Sequence, residues 1–268
     1  MEEKGIDNPA PTAWAPPESD EWAVNYANQQ RLFSILKSID EDDTDIVDPQ
    51  TRNKHEVDHR RVGELLRSAI SQHPWQRTPA PTESSLSSKF LAAGIHNLWH
   101  FTPKSNLESI IQTGALVSWL GADLLDINPT RASTDLSSGL DVENGIPHYV
   151  RLFIFYDNVT RFKWAKECDA RGDRLFPLRI DLAALDIPGV KFCKGNAVST
   201  NTEISTSPEK ILSHTGLPRI AEHFGQKKST GPYLGPGLFK LLNDKTKEFR
   251  MSEVLIPWFL PTAFFLDL

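Results

Sequence analysis

Between His73 and Ser88 the chain loses any apolar period: proline, threonine and serine dominate, with Pro79-Ala80-Pro81-Thr82 at the centre. That is the composition of a linker, and it divides the 268 residues into an N-terminal extension, 1–88, and a second region, 89–268, that must supply its own core. A domain of about 150 residues already buries roughly 70% of its unfolded surface, so a region of this length needs no covalent staple. The two cysteines, Cys168 and Cys193, fit that view. They suggest a reducing, cytoplasmic setting and two buried, unreactive thiols.

The extension carries most of the acidity. Residues 1–50 hold twelve Asp or Glu against Lys4, Arg31 and Lys37, so the remainder of a chain with net charge −6 is mildly basic at +3. A nucleic-acid partner therefore stays open for the second region. Residues 1–19 contain four prolines and no apolar period, and are expected to lack regular structure. Trp22, Leu32, Phe33, Ile35, Leu36 and Ile39, then Val62, Leu65, Leu66, Ala69 and Ile70, recur near helical spacing and predict a helical hairpin across the acidic stretch. The start lacks a basic segment followed by an apolar one, and no run approaches the ~18 apolar residues of a membrane span. The expectation is a protein neither secreted nor membrane-spanning.

Short strands govern the second region. Leu98 to Phe101, His148 to Tyr156, Leu175 to Ile180, Val190 to Phe192 and Glu253 to Ile256 read as strands, and Ala263 to Leu266 as a closing apolar run. Thr102 and Pro103 offer an N-cap and a first-turn proline for a helix carrying Leu107, Ile110 and Ile111 and ending at Gly114. The helical patterns between strands are short and irregular. The fold class expected is α+β, with a mixed or antiparallel sheet and flanking helices, plus the N-terminal helical extension.

Several chemistries find no support. P-loop, dinucleotide-binding and nucleophile-elbow glycine patterns are missing. His55-Glu56-Val57-Asp58-His59 satisfies the H-E-x-x-H spacing of zinc peptidases, but Lys54, Asp58, Arg60 and Arg61 surround it and no third histidine follows at the required distance. A solvated helix face is expected there, and no metal. By contrast, His100, Thr102 and Asn106 fall within one strand-turn-helix unit, where three polar groups can converge at the mouth of a sheet. Glu253 heads an otherwise apolar strand, Val254-Leu255-Ile256, and a charge there is costly without a partner or a task. Read from the residues alone, a structural histidine and a strand-end surface acid remain the alternatives.

The blocks Leu98-Trp99-His100-Phe101-Thr102-Pro103-Lys104-Ser105-Asn106-Leu107-Glu108-Ser109-Ile110-Ile111, His148-Tyr149-Val150-Arg151-Leu152-Phe153-Ile154-Phe155, Phe192-Cys193-Lys194-Gly195-Asn196-Ala197 and Ser252-Glu253-Val254-Leu255-Ile256 occur in this order. Together they resemble the motifs of the DarT family of ADP-ribosyltransferase toxins, over about residues 95 to 260. The resemblance implies an ADP-ribosyltransferase-like split sheet and a reaction that moves ADP-ribose from NAD to thymidine in single-stranded DNA. It implies that His100, Thr102, Asn106 and Tyr149 hold NAD as co-substrate, that Glu253 is the catalytic carboxylate, and that Arg131, eighteen residues before Tyr149, is the catalytic arginine. It also implies a toxin or anti-phage role with a macrodomain-type antitoxin as partner. The sequence departs from the family at Tyr156-Asp157-Asn158-Val159-Thr160 and carries a single arginine where the family has two.

The residue types suit this chemistry. Breaking the nicotinamide–ribose bond builds positive charge on the ribose, which a nearby carboxylate stabilises more in the transition state than in the ground state. Upstream of Glu253 the stretch from Lys227 to Lys240, with Lys228, Tyr233 and Phe239, reads as a basic loop, and Arg250 extends its charge. Cations interleaved with aromatic rings suit a single nucleic-acid strand, whose phosphates are neutralised while its bases stack. Rival readings are transfer to RNA or protein, a catalytically inactive nucleic-acid- or protein-binding module, and a zinc peptidase using His55, Glu56 and His59.

Overall fold

The computed structural model describes residues 56–71, 85–130, 140–199, 202–226 and 236–268, without the side chains of residues 56–59, 61, 159, 236, 238 and 239. The first helix expected in the extension and the acidic stretch after it lie outside the described residues, as does most of the stretch 73–88 expected to be a linker, whose last residues, from Leu86, are helical because Ser85 caps a helix there.

Six strands form the main sheet: β1 (Leu98–Pro103), β3 (Tyr149–Phe153), β4 (Leu175–Ile180), β5 (Lys191–Cys193), β6 (Ile204–Ser205) and β7 (Glu253–Pro257). Their spatial order is β4-β1-β3-β7-β5-β6, and every paired neighbour is antiparallel. Two further strands, β2 (Ala115–Val117) and β8 (Phe259–Pro261), pair separately. The expected α+β class with an antiparallel sheet and flanking helices is what the chain adopts.

The alternation of side chains sets the two faces. Leu98, Val150, Leu152, Leu178, Ile180, Phe192, Val254 and Ile256 enter the main core with Phe90, Phe155 and Phe224. The opposite face carries Trp99 and Phe101 with Phe153, and Tyr149, Cys193 and Leu255. Strand β7 is buried along its whole length, so its sequence is a continuous apolar run broken only by Glu253.

Strand β1 runs two residues further than its sequence suggests. Thr102 pairs with Phe176 and Pro103 with Leu175, so the ladder to β4 holds Thr102 in extended backbone and it is not a helix cap. A 3-10 turn, Lys104–Asn106, intervenes before helix α3 (Leu107–Thr113), which ends at Gly114 with φ +75°. Glycine there adopts the left-handed conformation without a Cβ penalty. The closing run becomes a 3-10 turn, Thr262–Phe264, with Phe265 bridging Ile180. The stretch read as a loop up to Lys240 is helical from Pro236, because proline fits the first turn of helix α8 (Pro236–Thr246).

Helix α1 (Glu56–Ser71) bears the second amphipathic pattern of the extension. Val62, Leu66 and Ala69 lie one and two turns apart and bury against Leu120 and Leu124 of helix α4 (Trp119–Leu124) and against Trp258 and Phe259. Contact is close at Gly63, where a Cβ would stand 2.4 Å from the Leu124 carbonyl oxygen. Helix α2 (Leu86–Ala92), capped by the Ser85 hydroxyl on the Ser88 amide, places Phe90 against Phe192. Helices α5 (Val159–Ala170), α6 (Glu209–Leu212) and α7 (Leu217–Phe224) complete the described framework, in which no helix is long and apolar enough to cross a membrane.

The Gly63 contact yields a stability test. Gly63→Ala gains helix propensity but forces α1 away from the Leu124 backbone, and overpacking of this kind costs typically about 1 to 3 kcal/mol. The variant should unfold at a lower temperature than the parent in a thermal melt; an equal or higher midpoint would show that α1 is not held at this distance.

Candidate active site

Glu253 is 1% exposed and opens the central strand β7. Across the ladder it faces Phe153 on one side and Cys193 on the other, while Arg151 faces Leu255. Arg151 and Glu253 are therefore diagonal neighbours on one face of an antiparallel pair, within reach for long side chains. The guanidinium grips the carboxylate with both oxygens: Nε donates to Oε2 and Nη2 to Oε1, each at 2.7 Å. A second hydrogen of Nη2 goes to Asn196 Oδ1 at 2.7 Å, and Nη1 donates to Asp141 Oδ1 at 3.3 Å. Four of the five N–H donors of arginine are thus engaged.

The electrostatics follow from this packing. Burial works against the Arg151 charge, but Glu253 and then Asp141 outweigh it and hold the guanidinium protonated. Desolvation pushes the Asp141 carboxyl up to about 6, with Arg151 pulling it back only in part and Glu253 adding to the rise. The Cys193 thiol is also pushed up, first by burial and then by Glu253, consistent with an inert buried thiol.

Beside this cluster lies a cavity of about 290 Å³, lined by residues of β1, β2, β3, α3, α4 and α5. It sits where the sheet opens: β1 and β3 share one register pair, Trp99 opposite Phe153. One step further, the His100 ring takes over, its Nδ1 donating to the Arg151 carbonyl at 3.0 Å. Since a carbonyl can only accept, Nδ1 carries the proton. Burial pushes His100 down to about 4, so the ring is neutral near pH 7 and Nε2 is left as an acceptor.

His100, Thr102, Asn106, Tyr149, Asp141 and Arg151 all line the cavity, whereas Glu253, paired with Arg151, is not among the lining residues. The Asn106 amide is not free for a ligand. Its nitrogen donates to Thr102 Oγ1 at 3.0 Å and to the Thr130 carbonyl at 2.8 Å, while its oxygen accepts the Thr130 amide at 2.8 Å. Asn106 therefore fastens the chain just before residue 131. Tyr149 is buried, with His148 against its ring and Lys191 Nζ 4.8 Å from its centroid.

Arg131 lies outside the described residues, as do Lys227, Lys228 and Tyr233. Lys240 is exposed on α8. Arg250 is not available to a phosphate: it is 4% exposed, donates to the Asp157 carbonyl at 3.0 Å, pairs with the Asp157 carboxylate at 3.3 Å, and stacks over Phe224. It braces the start of α5 against the 3-10 turn before β7. His55 is outside the described residues and the side chains of Glu56 and His59 are not described; among the described residues no group of three or more His, Cys, Asp or Glu side chains could hold a metal ion.

Two functional candidates escaped the sequence reading. Arg151 sits within the apolar run Tyr149-Val150-Arg151-Leu152-Phe153, an interior charge of the same kind that singled out Glu253. Asp141 gave no such signal, since an aspartate between strands is ordinary in a loop.

Comparison with known proteins identifies a family. The sequence pattern described as "ssDNA thymidine ADP-ribosyltransferase, DarT" matches residues 99–268. No curated protein sequence matches the chain. Among solved structures, Thermosipho africanus DarTG in complex with ADP-ribose is 15% identical, with a TM-score of 0.46 over 63% of this chain and 42% of that one. Thermus sp. 2.9 DarT in complex with ADP-ribosylated ssDNA is 13% identical, with a TM-score of 0.42 over 64% of this chain and 79% of that one. The same Thermus protein in complex with NAD+ gives 15% identity and a TM-score of 0.38 over the same shares. The chain thus spans 42% of the length of the DarTG chain.

The site predicts two stability effects. Arg151→Met leaves a carboxylate buried without its cation, a loss that typically costs about 3 to 5 kcal/mol, and urea unfolding should show it; a difference below about 1 kcal/mol would mean that the pair does not constrain the fold. Asp141 binds its proton more tightly in the folded state, so its contribution is fully present below pH 3.8, the ordinary carboxyl value, and is lost as pH rises through about 6. Relative to Asp141→Asn, the parent should therefore lose stability across that window and change little above it; parallel pH–stability curves for the two proteins would contradict this.

Proposed function

The chain belongs to the DarT family of ssDNA thymidine ADP-ribosyltransferases, and from that premise we propose that it transfers ADP-ribose from NAD to thymidine in single-stranded DNA. The observation that carries this reading is Glu253, a buried carboxylate oriented through both oxygens by Arg151 beside a cavity at the opening of the sheet. A fold keeps such a charge at the centre of its core when it has work to do there.

The cavity suits the co-substrate. Ile110, Leu116 and Val117 give it apolar wall, Phe153 and Trp164 give it aromatic surface for a flat ring, and the bare His100 Nε2 and the Thr102 hydroxyl are polar groups for ribose and amide. His100 and Thr102 would hold NAD, with Tyr149 at the wall, and Asn106 would act through the Thr130 segment it fastens. Bound there, NAD supplies the ribose and a neutral leaving group. Glu253, which is not part of the cavity lining, stabilises the positive charge that develops on the ribose through the field of its carboxylate. Lys240, exposed on α8, and Lys227, Lys228 and Tyr233, outside the described residues, are the groups proposed to track the DNA strand. A toxin role countered by a macrodomain-type antitoxin is part of the same reading, as is a cytoplasmic location.

Labelled NAD offered with single-stranded thymidine oligonucleotides, RNA and protein tests the reading directly: label should appear on the thymidine oligonucleotide. Label on RNA or protein alone, or on nothing, would overturn it. Within that assay Glu253→Gln should lower turnover by at least about a hundredfold, since a lost transition-state interaction of this type costs roughly 3 kcal/mol or more. Turnover within a few-fold of the parent would remove Glu253 from the mechanism.

A further inference from the structure

Arg151 divides its donors between two carboxylates, and the division is unequal. Glu253 gives both oxygens to the guanidinium. Asp141, 8% exposed, gives only Oδ1, at the longer distance of 3.3 Å, and its Oδ2 has no hydrogen-bond partner among the described residues. Asp141 also lines the cavity, which Glu253 does not. One buried carboxylate is therefore held through both oxygens and is not part of the cavity lining, while the other lines the cavity and is held, among the described residues, through one oxygen.

We propose that Asp141 is the general base of the transfer, taking the proton from the ring N–H of the acceptor nucleobase while Glu253 serves the ribose. The proposal rests on the reading of the activity given above and assigns the proton that this reading leaves unplaced. The bond that breaks joins the ribose C1′ to the nicotinamide nitrogen, and its electron pair leaves with neutral nicotinamide. The bond that forms joins C1′ to the acceptor ring nitrogen. That nitrogen's proton passes to Asp141 Oδ2 and from there to water, so charge and atoms balance without a further reactant.

Electrostatics support the division of labour. Among the described residues, the charged groups that act on Asp141 are Arg151 on β3 and Glu253 on β7, while His100 on β1 is neutral near pH 7. Between them, burial and Glu253 bring the Asp141 carboxyl near the working pH, where a base is mostly free to accept a proton and yet basic enough to take one. The two carboxylates differ in setting: Glu253 is held through both oxygens, Asp141 through one and on the cavity lining. Residues 140–143, which carry Asp141, are helical; the Ile146 amide donates to the Asp141 carbonyl at 2.9 Å, the Tyr149 amide donates to the Ile146 carbonyl at 3.1 Å, and Ile146 clusters with Tyr149, which ties this segment to the start of β3.

The experiment compares the full-length parent, Asp141→Asn and Asp141→Glu on two single-stranded oligonucleotides. One carries thymidine; the other carries 5-fluorodeoxyuridine at the same position, whose ring N–H is more acidic. With thymidine near pH 7, Asp141→Asn should lower kcat by at least about a hundredfold with KM for NAD nearly unchanged, the usual weight of a general base. The deficit should shrink at least about tenfold with 5-fluorodeoxyuridine and shrink again as pH rises, because the acceptor then loses its proton to solvent. Asp141→Glu, which keeps a carboxylate, should retain more activity than Asp141→Asn. An equal deficit on both acceptors, or a loss confined to KM for NAD, would overturn the assignment by making Asp141 a positioning or binding residue. If the parent labels no oligonucleotide at all, the reading of the activity falls and takes the assignment with it; if the parent labels thymidine and Asp141→Asn does so equally well, only the assignment falls.

Discussion

The buried pair between Arg151 and Glu253 is the constraint around which the rest of the site is arranged. A carboxylate at the head of the central strand has lost its water, and the low dielectric that makes it useful also makes it unaffordable alone. The antiparallel register answers this by placing Arg151 diagonally across from Glu253, where a planar fork meets both oxygens at 2.7 Å. The remaining guanidinium donors then reach outward, to Asn196 after β5 and to Asp141 before β3. One side chain thereby ties two loops to the sheet, and a misplaced loop would strand a buried charge. Specificity of geometry follows from the electrostatics, since few arrangements satisfy a cation and two anions at once.

The opening between β1 and β3 depends on a similar substitution of side chain for backbone. A ladder that continued past Trp99 and Phe153 would close the space. Where it stops, the Arg151 carbonyl would be orphaned, and His100 Nδ1 satisfies it. The imidazole is thus fixed as one tautomer by the same residue whose guanidinium orients Glu253. Asn106 repeats the device one turn later, closing both polar groups of Thr130 with its amide. The polar residues of the first motif are therefore architectural before they are chemical: they make a gap in a sheet tolerable.

This explains which features were legible in the sequence. Strands β4 and β7 were readable because long apolar runs with clear ends need little tertiary help. The end of β1 was not, because Thr102-Pro103 carries the local signature of a helix start, and only pairing with Phe176 and Leu175 overrides it. Strands β2, β6 and β8 have two or three residues each and exist only through their partners. In the site, Glu253 stood out as a charge in an apolar strand, and the same criterion applied to Arg151 would have found its partner. Arg250 shows the converse: a cation close to a basic stretch reads as part of a nucleic-acid-binding surface, yet Asp157 and Phe224 enclose it. Asp141 was invisible because nothing local distinguishes a loop aspartate on solvent from one delivered under an arginine.

The described part of the N-terminal extension bears on the site by packing rather than by charge. Helix α1 covers α4 through Val62, Leu66 and Ala69, and α4 contributes Trp119, Ala122 and Asp123 to the cavity wall. Ala122 is 2% exposed, so the wall at that point has the core on one side and the cavity on the other. A short helix of six residues has little intrinsic stability. It is held by the Ser118 cap on the Gly121 amide, by the Leu120 amide on the Pro147 carbonyl, and by the apolar surface α1 lays over it. Pro147 lies between Asp141 and Tyr149, so the support reaches the same loop that Arg151 gathers from the other side. The cavity is thus braced from two directions, by an ion cluster on the sheet and by a helix from the extension, and both converge on the segment that carries Asp141.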